Sequence, residues 1–212
     1  MNGSSYSARL LAGLTPDVFR GWQRASRDPR IDGAIRAIHA AIEETVARER
    51  PVCTASARCC HFARTGHALF VTGLEAAWTL DRIAPEWMPT DERLGDAEAA
   101  GSCPLLSDAG PARPVGACGV HAVRPSGCRV YFCDPTRSAM VTELAQHAAD
   151  AVRSLHDRFG VPYMYAEWLT LLRGFVGSGM DLMPTRPEPG LEASGRGCVD
   201  AVPLTISPAR GG

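Results

Sequence analysis

The sequence lacks the features of a secreted, membrane-spanning or strongly charged protein. No apolar run reaches the roughly 18 residues that a membrane helix needs. The first residues, MNGSSYSARLLAGLTPD, have neither the basic start nor the apolar stretch of a signal peptide. The formal net charge is −1, so no strong field attracts nucleic acid or an anionic membrane. These absences predict a cytoplasmic protein with no nucleic-acid and no membrane partner, and they leave the oligomeric state open.

Several common cysteine motifs are missing as well. The eight cysteines contain no CxxC pair of the thioredoxin type and no CxxC…HxxxH finger. The ferredoxin run CxxCxxCxxxCP is also absent. The glycine-rich stretch GFVGSG follows a helix-like segment rather than a strand, so it is a poor dinucleotide loop.

What the sequence does contain is a concentration of cysteine in one part of the chain. One stretch reads CTASARCCHF from Cys53, and another reads CGVHAVRPSGCRVYFCD from Cys118, with Cys103 between them. In a reducing compartment, clustered cysteines bind metal or act in catalysis more often than they form disulfides. Zinc takes four thiolates, and iron–sulfur clusters are typically held by four cysteines. Seven clustered cysteines therefore predict one such site with a second site or further thiols beside it.

The later part of this pattern is specific enough to indicate a family. A Cys-Pro-hydrophobic segment, CPLL at Cys103, is followed by CGVHAVRPSGCRVYFC from Cys118 to Cys133. Between Pro51 and Asp134 the chain resembles the zinc- or iron-chelating cysteine-cluster proteins named for a CxxCxxCC motif. The resemblance implies metal or iron–sulfur binding by Cys53, Cys59, Cys60, Cys103, Cys118, Cys128 and Cys133. Some members are flagellin lysine N-methylases, so it also leaves an enzymatic role open.

The chain departs from the family motif at one position. CTASARCC has Ser56 where the motif has its second cysteine. Either the site tolerates the loss, or Ser56 ligates weakly, or another group substitutes for it. The available groups are Cys198, His61, His67 and His121.

Two arginines lie within the third cysteine stretch. Arg124 and Arg129 would offset the negative charge of an all-thiolate site, or they would hold an anionic substrate. Together with the cysteines they favour an iron–sulfur cluster or iron centre that serves redox chemistry or the modification of a peptide or small molecule. The alternatives are a structural zinc module that mediates protein contacts and a metal chaperone, for example for copper(I).

The hydrophobic pattern predicts a mainly α fold in which helices are joined by cysteine-rich, metal-binding loops. Helices are expected at Asp17–Ala25, Ile31–Arg50, Thr72–Ile83, Pro135–Phe159 and Pro162–Val176. The second has a stripe of isoleucines from Ile31 to Ile42. Thr72 and Glu75 predict a capping box at the start of the third, and Gly160 predicts the end of the fourth. Residues Pro85 to Gly116 are expected to be mostly loop, with a short β-hairpin between Val115 and Phe132. Residues 1–176 are predicted to form a single domain, and residues 177–212 a Gly/Pro-rich tail.

Overall fold

The computed structural model describes residues 14–53, 57–107, 116–179 and 184–185, and these are mainly helical. They form eight α-helices and one two-stranded antiparallel sheet, which confirms the predicted fold class. In chain order the elements are α1 (Pro16–Ser26), α2 (Pro29–Glu49), α3 (Phe62–Thr65), β1 (Phe70–Thr72), α4 (Gly73–Leu80), α5 (Asp91–Ala100), α6 (Ser126–Arg129), α7 (Ser138–Phe159), β2 (Tyr165–Glu167) and α8 (Trp168–Gly177).

The two N-terminal helices follow their predicted patterns. The N-cap of α2 is Asp28, whose carboxylate accepts a hydrogen bond from the Arg30 N–H, and Pro29 opens the helix. The predicted stripe of isoleucines is largely buried, with Ile31 and Ile42 each 3% exposed. The helix ends at Arg50, which takes the left-handed conformation at φ 47° just before Pro51.

Helix α4 forms the buried centre of the fold. The predicted capping box is present: Thr72 accepts from the Glu75 N–H, and the Glu75 carboxylate accepts from the Thr72 N–H. Every residue of this helix is buried. It lies against α1 so closely that a Cβ on Gly73 would come within 2.5 Å of the Trp22 ring.

One prediction of loop was wrong. Residues 91–100, within the segment expected to be mostly loop, form α5. The Thr90 hydroxyl accepts from the Arg93 N–H, and two acidic residues occupy the first turn, where the helix dipole favours negative charge. Only Leu94 and Ala97 of this helix are buried, so the sequence shows no sustained apolar period.

The two predicted C-terminal helices begin later than expected. Asp134 caps a 3₁₀ turn at Pro135–Arg137, and α7 starts after it and ends before Gly160, as predicted, at φ 62°. The segment predicted as a helix from Pro162 first forms β2, and α8 begins only at Trp168. Backbone pairing to a distant strand thus overrides the local helical pattern.

The predicted hairpin is also corrected. From residue 116 to 132 the chain forms a 3₁₀ turn at His121–Val123 and the short helix α6, with no named strand. The sheet instead joins β1 to β2, with Val71 opposite Ala166. Residue 115 lies outside the described part of the chain, as does most of the predicted tail. The division at residue 176 therefore stays a prediction.

Buried side chains form a large cluster and a smaller one. The large cluster centres on Trp22, Trp78, Trp168 and Phe175 from α1, α4 and α8. The smaller one lies where α2, α7 and the residue after α6 meet, and contains Ile42, Val130, Leu144 and Ala148. Across the described ranges, no helix is both long and apolar enough to cross a membrane.

Candidate metal centre

The seven predicted ligands occupy turns and short helices rather than loops alone. Cys59 and Cys60 lie in a 3₁₀ turn at Arg58–Cys60, and Cys128 lies in α6. The other four are Cys53 after α2, Cys103 after α5, Cys118 at an isolated β-bridge with Leu106, and Cys133 after α6. All seven are free thiols, of which Cys60 and Cys103 are buried and Cys53 is exposed.

Backbone hydrogen bonds bring three of these segments together. The Cys103 N–H donates to the Cys60 carbonyl at 2.7 Å, which joins the turn after α5 to the Arg58–Cys60 turn. Gly119 N–H donates to the Leu105 carbonyl at 2.9 Å beside the Leu106–Cys118 bridge. Residues about 60 positions apart in sequence thus present their sulfurs to one place.

The sulfur atoms that these segments bring together lie around Cys60. Its Sγ lies 3.9 Å from the Sγ of Cys59 and also contacts the thiols of Cys103 and Cys118. Two thiolates on one tetrahedral metal at about 2.3 Å would be separated by about 3.8 Å, which matches the Cys59–Cys60 distance. Cys128 completes the group, close enough to Cys103 and Cys118 for their charge to raise its pKa. We call Cys59, Cys60, Cys103, Cys118 and Cys128 the thiol cluster.

Some thiols of the thiol cluster have a lowered pKa and others have a raised pKa. Contact with Cys60 first, and then the charge of the Arg124 guanidinium, lowers the pKa of Cys59 to about 6. The same contact lowers the pKa of Cys118. Contacts with Cys103, Cys118 and Cys59 raise the pKa of Cys60, and burial raises that of Cys128. Neutral thiols therefore stabilise thiolates beside them.

The two predicted arginines have different surroundings. The Arg124 guanidinium is close enough to lower the pKa of Cys59 and Cys118, and its buried Nε has no hydrogen-bond partner among the described residues. Arg129 donates to the Glu43 carboxylate and to the carbonyls of Arg124 and Ala122. Arg124 is thus positioned to offset thiolate charge, whereas Arg129 holds the cysteine-bearing segment in shape.

Among the described residues, the donor atoms do not enclose a position for a metal ion. Within the part of the chain that the structure describes, no three Cys, His, Asp or Glu side chains are placed to hold a metal ion. The donor set fits a soft metal by chemistry and by number.

The remaining predicted ligands are not part of the thiol cluster. The segments that carry Cys53 and Cys133 are joined by the Val52 N–H, which donates to the Asp134 carboxylate at 3.1 Å. Burial first, and then the charge of Cys133, raises the pKa of Tyr131, to which Cys59 of the thiol cluster also contributes. Ser56 and Cys198 lie outside the described residues.

The three histidines considered as replacement ligands differ in environment. His67 Nδ1 is hydrogen bonded to the Thr65 hydroxyl at 2.6 Å, and its ring stacks on Tyr131 with centroids 4.5 Å apart. His61 is half-buried beside Cys60, and His121 is exposed. Which of them, if any, replaces the missing ligand stays a prediction.

A cavity of about 180 Å³ reaches the thiol cluster from one side. Two cluster members, Cys59 and Cys128, contribute to its wall. The rest of the wall includes aromatic side chains from distant positions: His67, Phe70, Tyr131 and Tyr165. Sequence reasoning named His67 only as a candidate ligand and missed the other three, because single aromatic residues in short extended segments carry no spacing signal.

Comparison of the chain with known protein families, with curated proteins and with solved structures finds no match.

Proposed function

We propose that the chain is a metal-binding protein whose thiol cluster holds an iron–sulfur cluster or an iron centre. The observation that carries this proposal is that Cys59, Cys103 and Cys118 lie around Cys60, with Cys128 beside them. Thiolates are soft ligands that bind iron–sulfur clusters, zinc and copper(I). The cysteine-cluster family that the sequence resembles has the same requirement for clustered thiols.

The surroundings of the thiol cluster favour a reactive centre over a closed one. A structural metal site has all its positions filled by protein ligands, whereas a catalytic site keeps access for substrate. The 180 Å³ cavity gives a peptide side chain or a small molecule a route to Cys59 and Cys128. We therefore propose that the centre serves redox chemistry or the modification of such a substrate in the cytoplasm.

Each group of the chain has a defined role in this proposal. The cluster thiolates hold the centre, and the guanidinium of Arg124, whose Nε has no partner among the described residues, offsets their negative charge. Arg129, paired with Glu43, keeps the Cys128 segment in place. The bound iron or iron–sulfur centre would itself supply electron transfer or Lewis acidity.

The first test is anaerobic purification followed by optical spectroscopy and counts of metal and acid-labile sulfide per chain. A brown protein with iron, sulfide and a broad visible absorption band is the expected result. A colourless protein with stoichiometric zinc and no sulfide would overturn the iron proposal. A protein without any bound metal after anaerobic purification and reconstitution would overturn both.

A matched pair of cysteine variants tests the position of the centre. Cys128→Ser is expected to lower metal affinity about tenfold or more, because it removes a cluster ligand. Cys53→Ser, which changes an exposed thiol outside the thiol cluster, is expected to retain much more metal. Equal metal content in the two variants would show that the thiol cluster is not the site.

The alternative function is a structural zinc module. The observation in its favour is the 3.9 Å separation of the Cys59 and Cys60 sulfurs, which suits two ligands of one tetrahedral zinc ion. Zinc at a closed site contributes to folding and supplies no chemistry. Chelation of the zinc would then unfold the Cys59–Cys128 region, and a chain that keeps its structure after zinc removal would contradict this alternative.

A further inference from the structure

A second cavity, of about 70 Å³, lies beside the cavity that reaches the thiol cluster. The two share Phe70, Gly127, Val130 and Tyr165 in their walls. The smaller cavity is bounded on one side by alanine and valine side chains of α7. The side chains that give it chemical character are Thr72, Glu75, Ser126, Tyr163, Phe70 and Tyr165.

Glu75 contributes a buried carboxylate to this cavity, with only 5% of the residue exposed. The carboxylate accepts hydrogen bonds from the Thr72 N–H at 3.1 Å, the Thr72 hydroxyl at 3.0 Å and the Ser126 N–H at 3.1 Å. None of the three donors carries a positive charge, and no ion pair within the described residues includes Glu75. The cavity wall therefore holds a carboxylate that no ion pair among those residues neutralises.

The aromatic side chains complement this anion. Phe70 and Tyr165 are 40% and 51% exposed and lie diagonally across the β1–β2 pair, with ring centroids 5.8 Å apart. Tyr163 adds a third ring, which already has the Arg153 guanidinium over it at 4.1 Å. Rings with a negative face attract cations. Since Arg153 occupies Tyr163, the exposed rings of Phe70 and Tyr165 are the ones available to a ligand.

The aromatic rings and the geometry of the acceptors narrow the kind of cation. Three of the roughly four acceptor sites of the Glu75 carboxylate are already used. The other acceptors of the wall are hydroxyl groups of Thr72, Tyr163, Tyr165 and Ser126, of which that of Ser126 is buried and has no partner among the described residues. A primary ammonium group has three N–H donors to satisfy, whereas a fully methylated ammonium group has none. Aromatic rings beside a carboxylate suit the methylated ion.

We propose that this cavity binds a quaternary ammonium group, with Glu75 supplying the charge and Phe70 and Tyr165 supplying aromatic faces. The ligand's remaining atoms extend over the shared wall toward the larger cavity. This inference does not depend on what the thiol cluster holds.

The test is a titration of the purified chain with choline, in which calorimetry or ligand-observed NMR detects binding. The reference ligand is the uncharged carbon analogue of choline, in which a tert-butyl group replaces the trimethylammonium group. Saturable binding of choline, and much weaker binding of the analogue, is the expected result. Equal binding of both ligands would overturn the proposal, because it would show simple apolar contact. Absence of saturable choline binding at high millimolar concentration would overturn it as well.

Two substitutions locate the bound cation. Tyr165→Leu keeps an apolar side chain at an exposed position but removes the aromatic face, and is expected to weaken choline binding about fivefold or more. Tyr131→Leu removes a tyrosine that lines only the larger cavity and is expected to leave choline affinity unchanged. Equal effects of the two variants would contradict the assigned site. Metal counted on the same samples separates failure of this inference from failure of the proposed metal centre.

Discussion

At the scale of single residues, the seven cysteines of the candidate site are distinguished by their surroundings in the fold and not by their spacing in the sequence. The sequence predicted all of them as ligands, and nothing in their spacing distinguishes Cys53 from Cys60. The structure buries Cys60 among other thiols and leaves Cys53 exposed. The difference comes from the Cys103 and Cys118 segments, which are distant in sequence and which no local pattern would place beside Cys60.

His39 illustrates a residue whose surroundings could not be predicted. It lies in α2 with 5% of its surface exposed, and its ring contacts Trp78 with centroids 5.2 Å apart. Burial first, and then the charges of Arg129, Arg124 and Arg36, lower its pKa to about 3. The sequence gives only the helical position of His39, since two of these arginines come from another part of the chain.

We predict a loss of stability below neutral pH that is due to His39. Its folded pKa is lower than the ordinary value of 6.5, so its contribution is complete above pH 6.5 and is lost as the pH falls toward 3. Between pH 7 and pH 5 the loss is about 2 kcal/mol. Urea denaturation of the native chain and of His39→Leu at both pH values measures it. The variant is expected to lack this part of the pH dependence, and identical pH profiles would contradict the assignment.

At the scale of elements, long amphipathic helices could be predicted and short, non-local elements could not. The isoleucine stripe of α2 and the capping box of α4 depend on residues within a few positions of each other, so the sequence shows them directly. Strand β1 is only three residues long and pairs with a strand about 95 positions later. Helix α5 buries only Leu94 and Ala97, which is too few for a recognisable period.

The C-terminus of α2 gives a prediction at this scale. Arg50 has φ 47° and ψ 53°, a conformation that costs a residue with a Cβ about 1 kcal/mol relative to glycine. Arg50→Gly is therefore expected to raise the free energy of unfolding by about 0.5–1 kcal/mol. Arg48→Gly, the same change within the last helical turn, is expected to lower it by about 1 kcal/mol. Chemical denaturation of the two variants measures both values, and destabilisation by Arg50→Gly would contradict the cap.

At the scale of the whole molecule, the functional features lie where distant segments meet. The thiol cluster combines segments from residue 59 to residue 128, and the two cavities share Phe70 and Tyr165 of the β1–β2 pair. Sequence patterns identified the cysteines and the acidic cap of α4, which are the chemical groups. They could not show that Glu75 and two exposed aromatic rings share a cavity next to the thiols, because that depends on a sheet between residues 70 and 165.

The same dependence on distant contacts applies to stability, and Arg82 provides the final prediction. Its guanidinium is fully buried, stacks over Trp78, and donates to the Asp32 carboxylate at 2.9 Å and to the Ser26 carbonyl at 3.3 Å. Asp81 is also buried, with a carboxylate oxygen 3.6 Å from the guanidinium. Replacing Arg82 with methionine would leave buried carboxylate charge without this partner, at a cost of about 3 kcal/mol or more.

Arg36→Met is the matched control, because Arg36 also pairs with Asp32, at 3.1 Å, but its side chain is 48% exposed. Exposed ion pairs contribute little, so this variant is expected to lose about 1 kcal/mol or less. Urea denaturation of Arg82→Met, Arg36→Met and the native chain measures their free energies of unfolding. The comparison is between the losses of the two variants. Similar losses in the two variants would mean that the Arg82 pairings are solvated, and that the buried charges do not organise the junction of α1, α2 and α4.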